Sequence, residues 1–160
     1  MGMPAARLTD MTAHGSALVP GLGSTNVLIG GLPAWRGLTP AQGAQIAAAF
    51  ADCMKDVAKA QATADAAKGT PGAGAAQANL ANTIKDSAQK MASLIANSPA
   101  DKSMCTTPYL IIPHGVGIVI TGSNTVQING LAACRIADVI QETLSVNSIV
   151  MGNPTVLIGG

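Results

Sequence analysis

The sequence predicts a mainly β protein in which three pseudo-threefold β repeats share a core and an antiparallel α-helical hairpin is inserted between two of them. Residues 23–36 and 122–135 are two copies of one segment, while residues 152–160 and 3–7 repeat its first and second halves. One such copy buries too little apolar surface to fold alone, so the copies must pack together. A long alanine-rich stretch with helical spacing separates the first two copies.

Each copy contains a segment in which apolar residues alternate with polar or small ones, the period-two pattern of a half-buried strand. Glycines flank these segments and allow the positive φ angles that tight turns require. The alternation predicts that three pairs of side chains lie on the buried face of their strands: Val27 and Ile29, Val126 and Ile128, Val156 and Ile158.

The inserted stretch begins with a helix signal. Thr39 supplies a capping hydroxyl and Pro40 occupies the first helical position. Apolar residues then follow at helical spacing to about Ala67, on an alanine-rich background: Ile46, Phe50, Cys53, Met54 and Val57.

A Gly/Pro-rich segment, residues 68–74, ends the first helix. The second helix carries one apolar face and ends at Ser98-Pro99; the members of that face are Leu80, Ile84, Met91, Leu94 and Ile95. Two helices joined by so short a loop form an antiparallel hairpin, with arms of roughly 35–40 Å at about 1.5 Å per residue. The residues that flank the insertion, Arg36 and Asp101, are therefore predicted to lie near each other.

Composition excludes several classes of protein. The net charge is +1 and 11% of residues are charged, so no electrostatic surface for nucleic acid is predicted. There is no run of about eighteen apolar residues, so stable membrane insertion is not expected. Three dispersed cysteines argue against a disulfide framework and for a reducing compartment. Cys53 and Cys134 are interpreted as packing residues. The favoured interpretation of the single tryptophan, Trp35, is a core residue at the foot of the hairpin, and the alternative is a contact for a partner.

The repeats resemble those of the PAAR-repeat proteins, which form the tips of contractile injection spikes such as those of type VI secretion. Pro4-Ala5-Ala6-Arg7 reproduces the motif that names the family, and residues 32–36 and 131–135 are degraded copies. The resemblance covers residues 3–36 and 103–160. It divides the chain into a β-cone formed by residues 1–37 and 102–160, and a helical hairpin, residues 38–101, that lies outside the family pattern.

The resemblance also implies a metal ion, usually zinc, held near the apex of the cone by His and Cys. His14, Cys105 and His114 are the candidate ligands, since each precedes a strand of the repeats, and two imidazoles with a thiolate suit tetrahedral zinc. The position of the family's last ligand is Ser145, a poor zinc ligand. Either water or a nearby carboxylate such as Glu142 completes the site, or the site is degraded. The alternative reading makes both histidines polar turn residues and the cysteine a buried apolar residue.

Membership of this family implies a non-enzymatic tip whose broad face caps a trimeric, VgrG-type β-helical spike and helps attach effectors. The tip is expected to be a monomer before assembly, with one copy per three spike chains. It would reside in the bacterial cytoplasm before firing and then be translocated outward with the spike. Two alternatives stay open: an effector adaptor or chaperone that acts through the hairpin, and a zinc hydrolase. The sequence contains no HExxH, GxSxG or phosphate-loop motif to favour an enzyme.

Overall fold

The structure, a computed structural model, describes residues 2–109 and 112–160. Helices and strands occupy nearly equal shares of the chain, 33% and 32%, and the part outside the two helices is β, with a curled half-barrel sheet. The described elements, in chain order, are β1 (Met3–Ala5), β2 (Leu28–Ile29), β3 (Leu32–Pro33), β4 (Arg36–Gly37), α1 (Pro40–Ala66), α2 (Ala73–Ala96), β5 (Lys102–Tyr109), β6 (Ile112–Val119), β7 (Gln127–Ile128), β8 (Leu131–Ala133), β9 (Val139–Glu142), β10 (Val146–Ser148) and β11 (Asn153–Ile158).

The three sequence copies form three similar antiparallel pairs. Strand β2 pairs with β3, and β7 pairs with β8, across two-residue turns at positions 30–31 and 129–130. All four turn residues have positive φ, between 53° and 82°, as the type I′ turns of tight hairpins require. The third pair joins the two ends of the chain, because β1 pairs with β11 and Met3 lies opposite Ile158. The split third copy is therefore assembled from both termini.

Equivalent residues of the three copies meet at the centre of the β part. The backbone N–H of Ala6 donates to the carbonyl of Cys134 at 2.8 Å, that of Cys134 donates to Trp35 at 3.2 Å, and that of Trp35 donates to Ala6 at 3.0 Å. These hydrogen bonds close a ring. Beside it, six residues from two further equivalent positions form one buried apolar cluster: Ala5, Ala34, Ala133, Ile29, Ile128 and Ile158.

The predicted burial of the alternating residues is only partly correct. All three isoleucines are buried, but Val126 and Val156 are each 37% exposed and Val27 is half-buried at the edge of the cluster. The isoleucines point to the place where the three copies meet, whereas the valines, two residues earlier, lie further out. Trp35 is 1% exposed and belongs to the central core, as predicted.

Each copy also contains an arginine that binds an aspartate through both its backbone N–H and its guanidinium. The guanidinium–carboxylate distances are 2.9, 2.8 and 3.0 Å for Arg7–Asp10, Arg36–Asp101 and Arg135–Asp138. In two copies the partners are three residues apart, and in the other they are 65 apart. The helical insertion thus interrupts a turn without separating its ends, and the prediction that Arg36 and Asp101 lie together is confirmed. The hydrogen bonds that the Arg36 guanidinium donates to the Asp101 carboxylate raise the pKa of Arg36.

Helices α1 and α2 lie within two residues of their predicted bounds and pack against each other. Thr39 and Gln42 form the capping box at the start of α1. The facing side chains are small in α1 and larger in α2, and the cluster they form is Val57, Ala60, Ala64, Leu80, Ile84 and Leu144. Leu144 comes from the β part, so the hairpin lies along that part. A second contact joins Ile95 of α2 to Ile118 of β6. Leu94, predicted on the buried face, is 37% exposed.

A four-stranded antiparallel sheet, in the order β10-β9-β6-β5, carries most of the candidate site. Ile140 of β9 belongs to the central core, and Glu142, two residues further along the same strand, is also buried. Side chains two apart on a strand share a face. The apolar core therefore continues into a buried polar cluster at the end of β9.

Candidate metal centre

Four side chains that can ligate a metal converge beyond the central core: His14, Cys105, His114 and Glu142. Their ligand atoms all lie within 4.8 Å of one another. Cys105, His114 and Glu142 are buried, and the side chain of His14 is 25% exposed. The cluster could hold a metal ion.

The elements that present these residues are well separated in sequence. His14 lies in a turn that Gly15 closes, with φ of 74° and a hydrogen bond from its N–H to Thr12. Cys105 lies in β5 opposite Gly115, the residue after His114 in β6. Glu142 ends β9 and lies opposite Gly117. Sheet register therefore brings three of the ligands together, and the turn adds the fourth.

The imidazole nitrogens lie 2.9 to 3.8 Å from the other ligand atoms. The two Nδ1 atoms of His14 and His114 are 3.3 Å apart, and each lies close to Cys105 Sγ, at 3.6 and 3.8 Å. Glu142 Oε2 lies 3.2 Å from His14 Nδ1 and 2.9 Å from His114 Nδ1. Four groups that carry lone pairs thus surround one point.

The carboxylate of Glu142 is the strongest indication that this arrangement suits a cation. It is 1% exposed, and burying a carboxylate costs several kcal/mol unless the charge is compensated. Its Oε1 accepts a hydrogen bond from Asn147 at 2.7 Å. Its Oε2 is near both imidazoles, yet no N–H of the described residues is aligned to donate to it. A metal ion between the four groups would satisfy this oxygen and offset its charge.

The three predicted ligands, His14, Cys105 and His114, are brought together. The residue that completes the group is Glu142, which the sequence offered only as a nearby carboxylate, and not the side chain at the family's position, Ser145. The carbonyl of Ser145 instead accepts the N–H of Glu142 at 2.9 Å and so closes the turn that follows β9. The signal available in the sequence was an acidic residue, Glu142, two positions after Ile140 and so on the same strand face as that apolar residue.

The other two cysteines lie outside the cluster. Cys53 is buried in α1 and Cys134 in the central core, in agreement with their interpretation as packing residues. Burial raises the pKa of the Cys134 thiol well above its ordinary value. Cys134 is therefore an apolar core residue and not a thiolate ligand.

Comparisons with protein-family models, with curated proteins and with solved structures find no match for this chain. Among the described residues, neither helix combines the length and apolar character that crossing a membrane demands.

Proposed function

We propose that this protein is a PAAR-type spike tip: a zinc-stabilised cone of three β repeats that caps a trimeric, VgrG-like spike of a contractile injection machine. The observation that carries the proposal is the ring of hydrogen bonds between equivalent backbone positions, Ala6, Trp35 and Cys134. A ring of this kind relates the three copies by a pseudo-threefold axis. A single chain with such an axis matches the symmetry of a trimer without itself forming trimers.

The surface beside the Ile cluster supports the same assignment. Leu28 and Leu157 occupy equivalent positions in their copies, and each is 61% exposed, while Gln127 holds the third position. Exposed apolar side chains repeated about an axis are typical of an interaction surface. In this proposal the surface is the broad docking face of the cone, and the metal cluster belongs to its apex.

Zinc suits the donor set of two imidazoles and a thiolate, and the spacing of these three groups is compatible with it. A tetrahedral zinc with bonds of about 2.05 Å to nitrogen and about 2.3 Å to sulfur has edges of about 3.3 Å between nitrogens and about 3.6 Å between nitrogen and sulfur. The corresponding distances in the cluster are 3.3 Å, and 3.6 and 3.8 Å. Two imidazoles, a thiolate and a carboxylate form a complete shell for this ion, and a closed shell favours a structural role over catalysis.

The physical role of the ion follows from its position. His14, Cys105 and Glu142 belong to three separate segments, so one ion would crosslink a turn, a hairpin and the end of β9. A structural zinc contributes around 10 kcal/mol of apparent folding free energy in small domains. That contribution would keep short strands from fraying when a contracting sheath drives the tip forward.

The test is co-purification with a trimeric, VgrG-like spike protein from the same organism, followed by mass determination and metal analysis of the complex. The expected result is one copy per three spike chains, with about one zinc ion per copy. The double variant Leu28→Glu with Leu157→Glu should lose the complex, and Leu94→Glu, an exposed apolar site on the hairpin, should keep it. A 3:3 complex, or no complex with any spike protein, would contradict the proposal.

A second candidate function is an effector adaptor that acts through the hairpin. A cleft of about 430 Å³ lies between α1 and α2, with Asp56 and Lys59 on one helix and Asp86 and Lys90 on the other. The ion pairs of the hairpin are Asp52–Lys55 and Asp65–Lys68, so these four charges form no ion pair among the described residues.

The adaptor role predicts that reversing two cleft charges, with Lys59→Glu and Lys90→Glu, removes a co-purifying effector but leaves the spike complex and its stoichiometry intact. Lys55→Glu with Lys68→Glu is the matched control outside the cleft. Equal effector binding by both double variants would exclude this cleft as the binding site.

A further inference from the structure

A buried asparagine beside the candidate metal centre uses its whole carboxamide to connect two of the ligands. Asn147, in β10, is 5% exposed. Its Nδ2 donates to Glu142 Oε1 at 2.7 Å and to Thr12 Oγ1 at 3.1 Å. Its Oδ1 accepts the backbone N–H of His14 at 3.2 Å and that of Ser148 at 2.8 Å.

The orientation of this amide is fixed by its partners. Two backbone N–H groups can only donate, so the atom they face is the oxygen, and the atom that faces the carboxylate is the nitrogen. Each of the two amide atoms has two partners. Asn147 cannot flip without placing its oxygen against Glu142 Oε1 and its nitrogen against two donors.

Two consequences for the metal centre follow from these contacts. The first concerns Glu142: because Oε1 is occupied by Asn147, only Oε2 is directed at the imidazoles. The second concerns His14, whose side chain is the most exposed of the four ligands and whose turn has no place in the sheet that holds the others. Asn147 ties the backbone of that turn to β10, beside a hydrogen bond from the Ala13 N–H to the Ser148 carbonyl at 2.9 Å.

We propose that Asn147 is the positioning residue of this metal centre. Asn147 makes Glu142 a ligand through Oε2 alone, and it holds the His14 turn against the sheet. The inference rests on the metal-binding part of the proposed function. Partners in the outer shell of metal sites orient the ligands, and their loss typically lowers metal affinity by about 10–100-fold.

The sharpest perturbation is Asn147→Asp, which keeps the size of the side chain and the acceptor for His14 but replaces the donor to Glu142 with a second carboxylate oxygen. Asn147→Ala removes both contacts. A matched control is Asn153→Ser, since Asn153 is a similarly buried asparagine in the third repeat, and serine is the residue at the corresponding positions 24 and 123.

The experiment titrates the purified, folded full-length protein and its variants with zinc against a competing chelator. Cobalt(II) substitution follows the coordination geometry through its visible absorption. Wild type and Asn153→Ser should bind one ion with the same affinity and a tetrahedral cobalt spectrum. Both Asn147 variants should bind about 10–100-fold more weakly, with a spectrum altered towards higher coordination as Glu142 Oε1 becomes free to bind.

A double-mutant cycle separates positioning of Glu142 from a general loss of stability. In a Glu142→Ala background, Asn147→Ala should have a much smaller effect on affinity, because the carboxylate it orients is gone. If an Asn147 variant does not fold, Asn147→Ser, which retains a hydroxyl in the site, takes its place in both measurements.

Each outcome decides between the two proposals. Wild-type affinity and an unchanged cobalt spectrum in the Asn147 variants would overturn the positioning role and leave the metal centre standing. An equal loss of zinc affinity on Asn147→Ala in the wild-type and Glu142→Ala backgrounds would also overturn the positioning role. Wild-type protein that binds neither zinc nor cobalt would overturn the metal centre itself, and the role of Asn147 with it.

Discussion

The shared isoleucine cluster offers a quantitative test of the three-repeat architecture, through the truncations Ile29→Ala, Ile128→Ala and Ile158→Ala. The three side chains are 6%, 8% and 6% exposed, so each loses nearly all its contact with water on folding. Truncation removes about three methylene equivalents at about 0.8 kcal/mol each. The other buried members of the cluster are alanines, which cannot fill the space, so a cavity term adds to that loss. We expect each variant to lose about 2.5–4.5 kcal/mol of unfolding free energy.

Because the three sites are equivalent, their costs should agree more closely than the spread of about 2 kcal/mol found among unrelated buried sites. Because they share one cluster, double variants should deviate from additivity by about 0.5–3 kcal/mol. The assay is urea unfolding at saturating zinc, which keeps the contribution of the metal constant. Leu28→Ala, on the neighbouring exposed site, should stay within about 0.5 kcal/mol of wild type. The shared core would be refuted if the losses of unfolding free energy in the double variants were fully additive. It would also be refuted if one isoleucine variant were as stable as wild type while the other two were strongly destabilised.

Two further predictions concern the hairpin and the cysteines. Replacing Leu38–Ala100 with a short Gly/Ser linker would expose Ile118 and Leu144, which are 1% and 2% exposed in the intact chain. We therefore expect a soluble β part that still binds zinc only when both residues are also changed to polar ones, as measured by solubility and zinc content. Equal solubility of the deletion without these two changes would contradict the prediction. Chelation of the metal should speed alkylation of Cys105, measured by mass spectrometry. Cys134 should stay unreactive until the protein unfolds, because burial raises the pKa of its thiol. Comparable labelling of the two cysteines would argue against Cys105 as a metal ligand.

Local patterns in the sequence were enough to predict most of the elements. The helix start at Thr39–Pro40 and the Gly/Pro break between the helices depend on backbone chemistry within a few residues, and the structure has α1 and α2 close to where those signals place them. Arg36 and Asp101 were predicted to lie near each other because they flank the inserted hairpin, and the structure adds that they form the arginine–aspartate pair that the other copies hold three residues apart. A repeat carries information about contacts that are distant in sequence, since equivalent residues have equivalent surroundings.

The candidate site was only partly predictable, because its fourth member does not belong to the repeated pattern. His14, Cys105 and His114 stood out by residue type and by their predicted places before the repeat strands, although the structure has Cys105 within β5 and His114 within β6. Glu142 became the fourth member because β9 pairs with β6 in a register that places it opposite Gly117, and because the chain turns back at Ser145. No periodicity in the sequence specifies which oxygen of that carboxylate faces the imidazoles.

The sequence by itself determined the repeat, the helices and three candidate ligands, because these features follow from local spacing and residue type. The tertiary structure decided which alternating residues are buried, that Leu144 packs into the hairpin, and that Glu142 and Asn147 complete the polar cluster. These features depend on how separate segments approach one another. Burial and ligand geometry are set by how these segments pack together. Two side chains two residues apart on the same strand can therefore differ in exposure, as the buried Ile128 and the exposed Val126 do.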